Sequence, residues 1–136
     1  MLFNLDSDFA LEDFFNINEN KSEILDPKDG LALGNMFLDS YIPYKNYKPH
    51  EYKPCGEKEK LLLRIQELSF ALNDLNLHLD INPENKDYYY LFKTYADELK
   101  CLKKQYSNEY ESLELDENLK SNYTWYQNPW PWEGDN

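Results

Sequence analysis

The sequence predicts an all-α protein: an antiparallel helical hairpin on which an extended, aromatic N-terminal arm and a C-terminal tail pack. Two apolar repeats predict the hairpin, because each recurs at alternating steps of four and three residues. Prolines flank the repeats on both sides, and all three tryptophans lie in the last dozen residues, which predicts extended flanking segments. At 136 residues, the chain is one domain at most.

Composition divides the chain into three parts. Residues 1–29 carry eight acidic and two basic side chains and are expected to be a partly disordered extension. Residues 30–56 form an arm rich in tyrosine and proline, in which the prolines exclude a long helix. Residues 57–133 contain the hairpin and the aromatic tail. These three parts are the predicted organisation of the chain.

Local signals refine the arm. Asp26-Pro-Lys-Asp-Gly30 is typical of a turn, and a short helical turn fits near residues 32–38. The remainder is expected to lie extended on a surface. With about three residues per turn of polyproline II, one edge would carry three tyrosines, Tyr41, Tyr44 and Tyr47.

The two apolar repeats define the helices and their connection. The first repeat consists of Leu61, Ile65, Leu68, Leu72, Leu75 and Leu79. The second has the same spacing and consists of Tyr88, Phe92, Tyr95, Leu99, Leu102 and Tyr106. Between them, Asn82-Pro83-Glu84 supplies an N-cap, a proline at the first helical position and an acid in the first turn. A connection this short makes the helices antiparallel neighbours.

The first helix is apolar on a second side as well. Leu63, Phe70 and Leu77 fall every seven residues, on the face opposite the repeat. A helix that is apolar on two sides cannot leave one of them in water, and a hairpin of about 50 residues has too small a core to be stable alone. A further layer is therefore expected, supplied by the arm, by the tail or by a second chain.

The tail is an aromatic strip, Tyr123-Thr-Trp-Tyr-Gln-Asn-Pro-Trp-Pro-Trp-Glu133. The prolines between its indoles rule out a helix and keep the backbone extended. Because tryptophan buries more apolar area than any other side chain, the strip must cover its own core or another protein. We expect partial packing on the hairpin, with one of Trp125, Trp130 and Trp132 left for a partner.

Charge and hydropathy exclude several classes of function. The net charge of −12 would repel nucleic acid and anionic membrane surfaces. No apolar run approaches the roughly 20 residues of a membrane span, and the first residues lack the pattern of a signal peptide. The expectation is a protein made and kept inside a cell, with neither nucleic acid nor membrane as a partner.

The sequence holds little that suits catalysis or metal binding. His50 and His78 are its two histidines, and their spacing suits no shared metal site. The sequence has neither a Glu-x-x-His pair nor a glycine-rich phosphate loop. His50-Glu51 with Cys55 could be imagined as a thiol site but is not expected to be one, and His78 is expected to be a surface or capping histidine near its helix end. We expect no enzyme, no cofactor and no metal.

Tyrosine is abundant, with twelve in the chain. Consecutive helical positions point about 100° apart, so Tyr88, Tyr89 and Tyr90 cannot all face one seam. Tyr90 is expected to be exposed or reserved for a partner. Cys55 and Cys101 form no disulfide framework and are expected to be isolated thiols. Oxidative cross-linking through Tyr90 or Cys101 is the alternative.

The hairpin and the tail together resemble the spore coat proteins of the CotJB family over residues 61–133. The similar stretches are Leu63-Arg-Ile-Gln-Glu-Leu-Ser-Phe-Ala-Leu-Asn-Asp-Leu-Asn-Leu-His-Leu-Asp80, Asn82-Pro83, the helix of residues 95–110, and Trp125-x4-Trp-Pro-Trp-Glu133. In addition, Leu33-Gly-Asn-Met-Phe-Leu-Asp-Ser-Tyr-Ile-Pro-Tyr44 resembles the companion CotJA proteins. The acidic residues 1–29 depart from the CotJB pattern.

The resemblance implies a non-enzymatic structural component of the inner coat of bacterial endospores, made in the mother-cell cytoplasm. It also implies assembly with CotJA-like and manganese-catalase-like coat proteins, the latter carrying the metal chemistry, and self-association is a further expectation. The residues expected to bind partners are Leu63, Phe70, Leu77, Tyr41, Tyr44, Tyr47, Tyr90, Trp125, Trp130 and Trp132.

Two other functions use the same residues differently. A cytosolic adaptor on a tetratricopeptide-like helix pair is suggested by the turn Leu79-Asp-Ile-Asn-Pro-Glu-Asn85, but one hairpin without an internal repeat cannot stack into a solenoid. Finding the protein in vegetative cells would favour this adaptor. An enzyme with a thiol or metal site would instead require stoichiometric manganese or zinc in the purified protein.

Overall fold

The computed structural model of the chain describes residues 24–42, 44–114, 123 and 126. Most of the predicted acidic extension and the three tryptophans of the tail lie outside these residues. Within the described part, the regular secondary structure is helical, and β pairing is limited to an isolated antiparallel bridge between Ile24 and Phe37. None of the helices described is both long enough and apolar enough to cross a membrane.

Three helices follow one another along the chain. α1 spans Pro27–Leu33, α2 spans Glu57–Ile81 and α3 spans Lys86–Glu109. α2 and α3 run antiparallel, since ion pairs join Arg64 to Glu98 and, further from the turn, Lys58 to Glu111. The predicted all-α class and the predicted helical hairpin are confirmed.

Both apolar repeats face the interior of the hairpin. In α2, Ile65, Leu68 and Leu75 are buried, and in α3 Tyr106 is fully buried. The remaining repeat residues are half-buried. The spacing of four and three therefore identified the faces on which α2 and α3 pack together.

The turn between the two long helices differs in detail from the prediction. α2 continues to Ile81, and the N–H of Asn82 donates to the carbonyl of His78 at 2.9 Å, so Asn82 ends α2 and does not begin α3. Asn85 is the N-cap of α3, because its side chain accepts a hydrogen bond from the N–H of Tyr88 at 3.1 Å. Asn82-Pro83 is thus the connection, and the second asparagine supplies the cap.

α1 begins where the sequence predicted a turn. Asp26 is its N-cap, accepting from the N–H of Lys28 at 3.1 Å, and Pro27 occupies the first helical position. The helix ends at Gly34, whose φ of 77° is a left-handed conformation that glycine adopts without strain. α1 therefore lies earlier in the chain than the helical turn that was expected near residues 32–38. It also runs across the predicted boundary between the acidic extension, which ends at residue 29, and the arm, which begins at residue 30.

The N-terminal part of the described chain, residues 24–38, covers the hairpin, and we call it the covering segment. Met36 and Phe37 form a buried cluster with Ala71 and Leu75 of α2. Partly buried side chains surround this cluster, and they are Ile24, Phe70, Tyr88, Leu91, Phe92 and Tyr95. The further layer that the hairpin requires is therefore supplied, in this part of the structure, by the beginning of the arm.

Glycine at position 30 makes the close approach of Met36 possible. A Cβ added at Gly30 would lie 2.1 Å from Sδ of Met36, which is fully buried. Alanine normally stabilises a helix relative to glycine, but overpacking of a filled core costs about 1–3 kcal/mol. We expect Gly30→Ala to lower the free energy of unfolding by about 2 kcal/mol in chemical denaturation.

Gly56→Ala is the matched control for this substitution. A Cβ at Gly56 would have no atom within 4 Å, and the φ of −144° suits any residue. Because Gly56 is the N-cap of α2, where alanine is poorer than glycine, this variant should lose only about 0.5 kcal/mol of stability. Equal stability of both variants would show that Met36 does not pack against Gly30.

The arm between the covering segment and α2 is not one continuous extended path. The N–H of Tyr47 donates to the carbonyl of Tyr44 at 3.0 Å, and Asn46 has a left-handed φ of 63°. Asparagine tolerates this conformation better than most residues, which explains a turn here. The turn breaks the shared polyproline II edge that the tyrosine spacing predicted.

Candidate functional site

The groove between α2 and α3 holds the tip of the covering segment. The backbone N–H of Met36 donates to Oδ2 of Asp74 at 3.0 Å, although 38 residues separate them in sequence. The carbonyl of Met36 accepts from the N–H of Leu25 at 2.8 Å, and Asn35 accepts from the N–H of Phe37 at 2.7 Å. Because both backbone groups of Met36 are paired, its apolar side chain can be buried without an unsatisfied polar group.

An aromatic cluster fixes the position of Phe37 beside this groove. The Phe37 and His78 rings stack with centroids 4.6 Å apart and planes inclined by 21°. Tyr88 stands edge-on to His78, with centroids 5.0 Å apart, and its ring centroid lies 5.7 Å from that of Phe37. Such ring pairs contribute about 0.5–1.5 kcal/mol beyond their buried area.

His78 has a structural role that the sequence did not reveal. It was expected at the surface or as a cap, and it is half-buried between Phe37 and Tyr88. The signal that could have identified this role is the position of His78 in a third row of residues along α2, spaced by four, three and four residues. This row faces the covering segment, and it consists of Glu67, Ala71, Asp74 and His78.

Ion pairs centred on Arg64 connect the two long helices. Arg64 donates from Nε to Oε1 of Glu98 in α3 at 2.9 Å and from Nη1 to Oε2 of Glu67 at 3.2 Å, and its Nη2 lies 2.8 Å from the same Glu98 oxygen. Burial lowers the pKa of the Arg64 guanidinium, but its hydrogen bonds to the carboxylates of Glu98 and Glu67, and their charges, outweigh burial and leave the pKa raised. Arg64 therefore stays charged between two carboxylates, one of which, Glu67, is buried.

The start of α1 reaches the same region. Burial raises the pKa of the Tyr95 phenol, the carboxylate of Asp26 raises it further, and Arg64 opposes both. Asp26 is the N-cap of α1, so its charge acts on Tyr95 because the covering segment lies across α3 as well as α2. The covering segment thus closes over both helices of the hairpin.

Removal of Arg64 would leave the buried carboxylate of Glu67 without its cation. We expect Arg64→Ala to lower the free energy of unfolding by about 2 kcal/mol, as measured by urea denaturation. Adding Glu67→Gln should restore about half of this loss, because the amide is cheaper to bury than an uncompensated charge. Lys100, exposed on α3, is the control, and Lys100→Ala should leave stability unchanged. A harmless Arg64→Ala would contradict this role.

The second apolar stripe of α2 is covered unevenly. Leu63 and Phe70 are half-buried, and Phe70 packs against the cluster of Met36 and Phe37. Leu63 lines a cleft of about 500 Å³ with Ala32 of α1 and Tyr52 of the arm. Leu77, the last member of the stripe, is 55% exposed.

The predicted tyrosines of the arm differ in exposure. Tyr44 is 81% exposed. Tyr41 and Tyr47 are half-buried, and the hydroxyl of Tyr47 donates to the carbonyl of Ala32 at 2.6 Å. Tyr44 is therefore available to another molecule, whereas Tyr47 ties the arm to α1. That these residues bind a partner stays a prediction.

An exposed apolar surface surrounds the turn between α2 and α3, and we call it the turn surface. Tyr90 is 74% exposed, as expected for one of three consecutive helical tyrosines. Ile81 is 80% exposed, and Tyr89 and Leu77 are each 55% exposed. Exposed aromatic side chains such as these are enriched at sites of protein–protein contact.

Groups suited to chemistry are sparse in the described part of the chain. Cys55 and Cys101 are both exposed and free. His50 lies against Tyr52, with ring centroids 5.0 Å apart. No group of three or more His, Cys, Asp and Glu side chains is placed to hold a metal ion among these residues. Trp125, Trp130 and Trp132, the remaining predicted partner-binding residues, lie outside the described residues.

Comparison with known proteins identifies a family. The family model described as CotJB protein matches residues 59–133, which is more than half of the chain. The matched stretch includes nearly all of α2, the whole of α3 and the aromatic tail. No curated protein matches the chain, and no solved structure does. The covering segment precedes the matched stretch.

Proposed function

Since the chain belongs to the CotJB family, a structural family of spore coat proteins, we propose that it is a non-enzymatic component of the inner coat of bacterial endospores. The protein is made in the mother-cell cytoplasm and acts as an assembly protein that joins companion coat proteins. The observation that carries the proposal is the family match, because it spans the hairpin and the tail together.

The arrangement of the described residues supports an assembly role over a catalytic one. The interior of the hairpin is filled by the apolar repeats and by Met36 and Phe37, whereas Ile81 and Tyr90 of the turn surface are exposed. An exposed aromatic surface beside a packed hairpin suits protein contact, since aromatic side chains dominate the energetics of interfaces.

We propose two kinds of partner for these surfaces, a manganese-catalase-like coat protein and a CotJA-like coat protein. The tail and the turn surface are the proposed contacts to the catalase-like partner, which supplies the metal chemistry. The sequence from Leu33 to Tyr44 is itself proposed to be CotJA-like. The burial of Leu33, Met36 and Phe37 against the hairpin supports a CotJA-like element beside the CotJB-like one.

Co-purification tests the proposed function. The full chain, and a version without residues 123–136, would each be expressed with a manganese-catalase-like coat protein and isolated through a tag. We expect stoichiometric capture by the full chain and at least a tenfold loss without the tail. Fractionation of sporulating cells should place the protein in the spore coat. Its presence in vegetative cells, with no capture of the coat partner, would favour the cytosolic adaptor instead.

A further inference from the structure

The covering segment is stabilised by its own hydrogen bonds. Its helix is capped by Asp26 at one end, and the N–H groups of Gly34 and Asn35 both donate to the carbonyl of Gly30 at the other, at 2.8 and 3.1 Å. The bridge between Ile24 and Phe37 brings the two ends of the segment together. A segment closed by local bonds can keep its shape whichever hairpin it docks on.

The contacts of the segment with the hairpin depend on a few side chains. Met36 is fully buried, its N–H bonds to Asp74, and Phe37 stacks on His78. None of these contacts involves the chain that links the segment to α2. An identical segment of another molecule would make the same contacts in the same groove.

The linking chain is long and largely exposed. Tyr47 is bonded to Ala32, so the arm up to that residue belongs with the covering segment. Residues 48–56 then connect to α2, and all of them except Pro49 and Pro54 are exposed. Nine residues reach up to about 30 Å when extended, which is enough to span to a neighbouring molecule.

We propose that the groove between α2 and α3 accepts the covering segment of a second copy of this chain, so that neighbouring molecules are joined by exchanged segments. The covering segment makes the same contacts with the groove of its own chain and with the groove of a second copy. A chain's own segment is therefore favoured only by its effective concentration at the groove, which is about millimolar for a short flexible linker. In a dense assembly the chain itself reaches comparable concentrations. The inference rests on the proposed coat function in one respect only, namely the high concentration that the chain reaches in a coat.

A peptide binding experiment tests the groove directly. The probe is a fluorescein-labelled peptide of residues 24–38, titrated with full-length Met36→Asp protein, whose own segment cannot bury a carboxylate in the groove. We expect the unaltered peptide to bind this variant saturably and to bind the unaltered chain at least tenfold more weakly, because there the groove is already occupied. A peptide that carries Met36→Asp should bind neither protein. If the variant loses helical circular dichroism, the unaltered peptide should restore it. Failure both to bind and to restore the helix would overturn the inference.

The state of the full chain in solution gives a second, independent readout. At about 1 mM, light scattering and native mass spectrometry should show dimers of the unaltered chain that dissociate on tenfold dilution. The Met36→Asp variant should be monomeric at both concentrations. An unaltered chain that stays monomeric at about 1 mM would overturn the exchange. This outcome would leave the coat function intact, because capture of the catalase-like partner is measured separately.

Discussion

Met36→Ala should lower the free energy of unfolding by about 3 kcal/mol. Met36 is fully buried and belongs to the cluster that joins the covering segment to Ala71 and Leu75 of α2. Truncation leaves a cavity between the covering segment and the hairpin, and the loss is a large fraction of the roughly 5–15 kcal/mol by which domains are stable. Urea denaturation followed by circular dichroism at 222 nm measures it.

The control for this substitution is Ile42→Ala, a nearby apolar residue that is 89% exposed. Its truncation creates no cavity and should change stability by less than about 0.5 kcal/mol. A Met36→Ala protein that matched Ile42→Ala would mean that the covering segment contributes nothing to the stability of the hairpin. The further layer would then have to be the tail or a second chain.

The double substitution Trp130→Ala with Trp132→Ala should abolish capture of the proposed manganese-catalase-like partner while leaving helical content intact. Interface tryptophans often contribute 2 kcal/mol or more, so loss of the pair should weaken binding by at least about 30-fold. Surface plasmon resonance with the immobilised partner measures the affinity. Circular dichroism of the same sample measures the helices.

Gln127→Ala is the matched control, since it alters the tail without removing an aromatic ring. It should bind the partner as the unaltered chain does. Loss of helical signal in the double variant would show that the indoles belong to the core of this chain and are not an anchor for another protein. Intact helices with undiminished binding would place the partner contact elsewhere, with the turn surface as the next candidate.

The periodicity of apolar residues was sufficient to predict the hairpin, because the two facing sides of α2 and α3 consist mostly of large apolar side chains. The need for a further layer also followed from the sequence, through Leu63 and Phe70 on the second side of α2. Which part of the chain forms this layer could not be predicted from the sequence. The row on which the segment docks includes Glu67, Asp74 and His78, which are polar, so no apolar pattern marks it.

The start of α1 shows why local signals were ambiguous. Aspartate followed by proline favours a turn and equally favours a helix N-terminus, because both use the side-chain oxygen as a cap and the fixed φ of proline. Burial of Pro27 and Leu33 decides in favour of the helix. The same conflict occurs at Asn82-Pro83, where α2 continues to Ile81 and α3 begins only at Lys86, behind the cap supplied by Asn85.

The order in which the groove and its occupant appear in the chain has a consequence during synthesis. Met36 and Phe37 leave the ribosome first, whereas Tyr88 and Tyr95 of the groove follow some 50–60 residues later. At about 5–20 residues per second, translation leaves the covering segment without its own groove for roughly 3–12 s. On a polysome, an older nascent chain that has completed its hairpin but has not yet docked its own segment offers a groove before the segment's own groove exists.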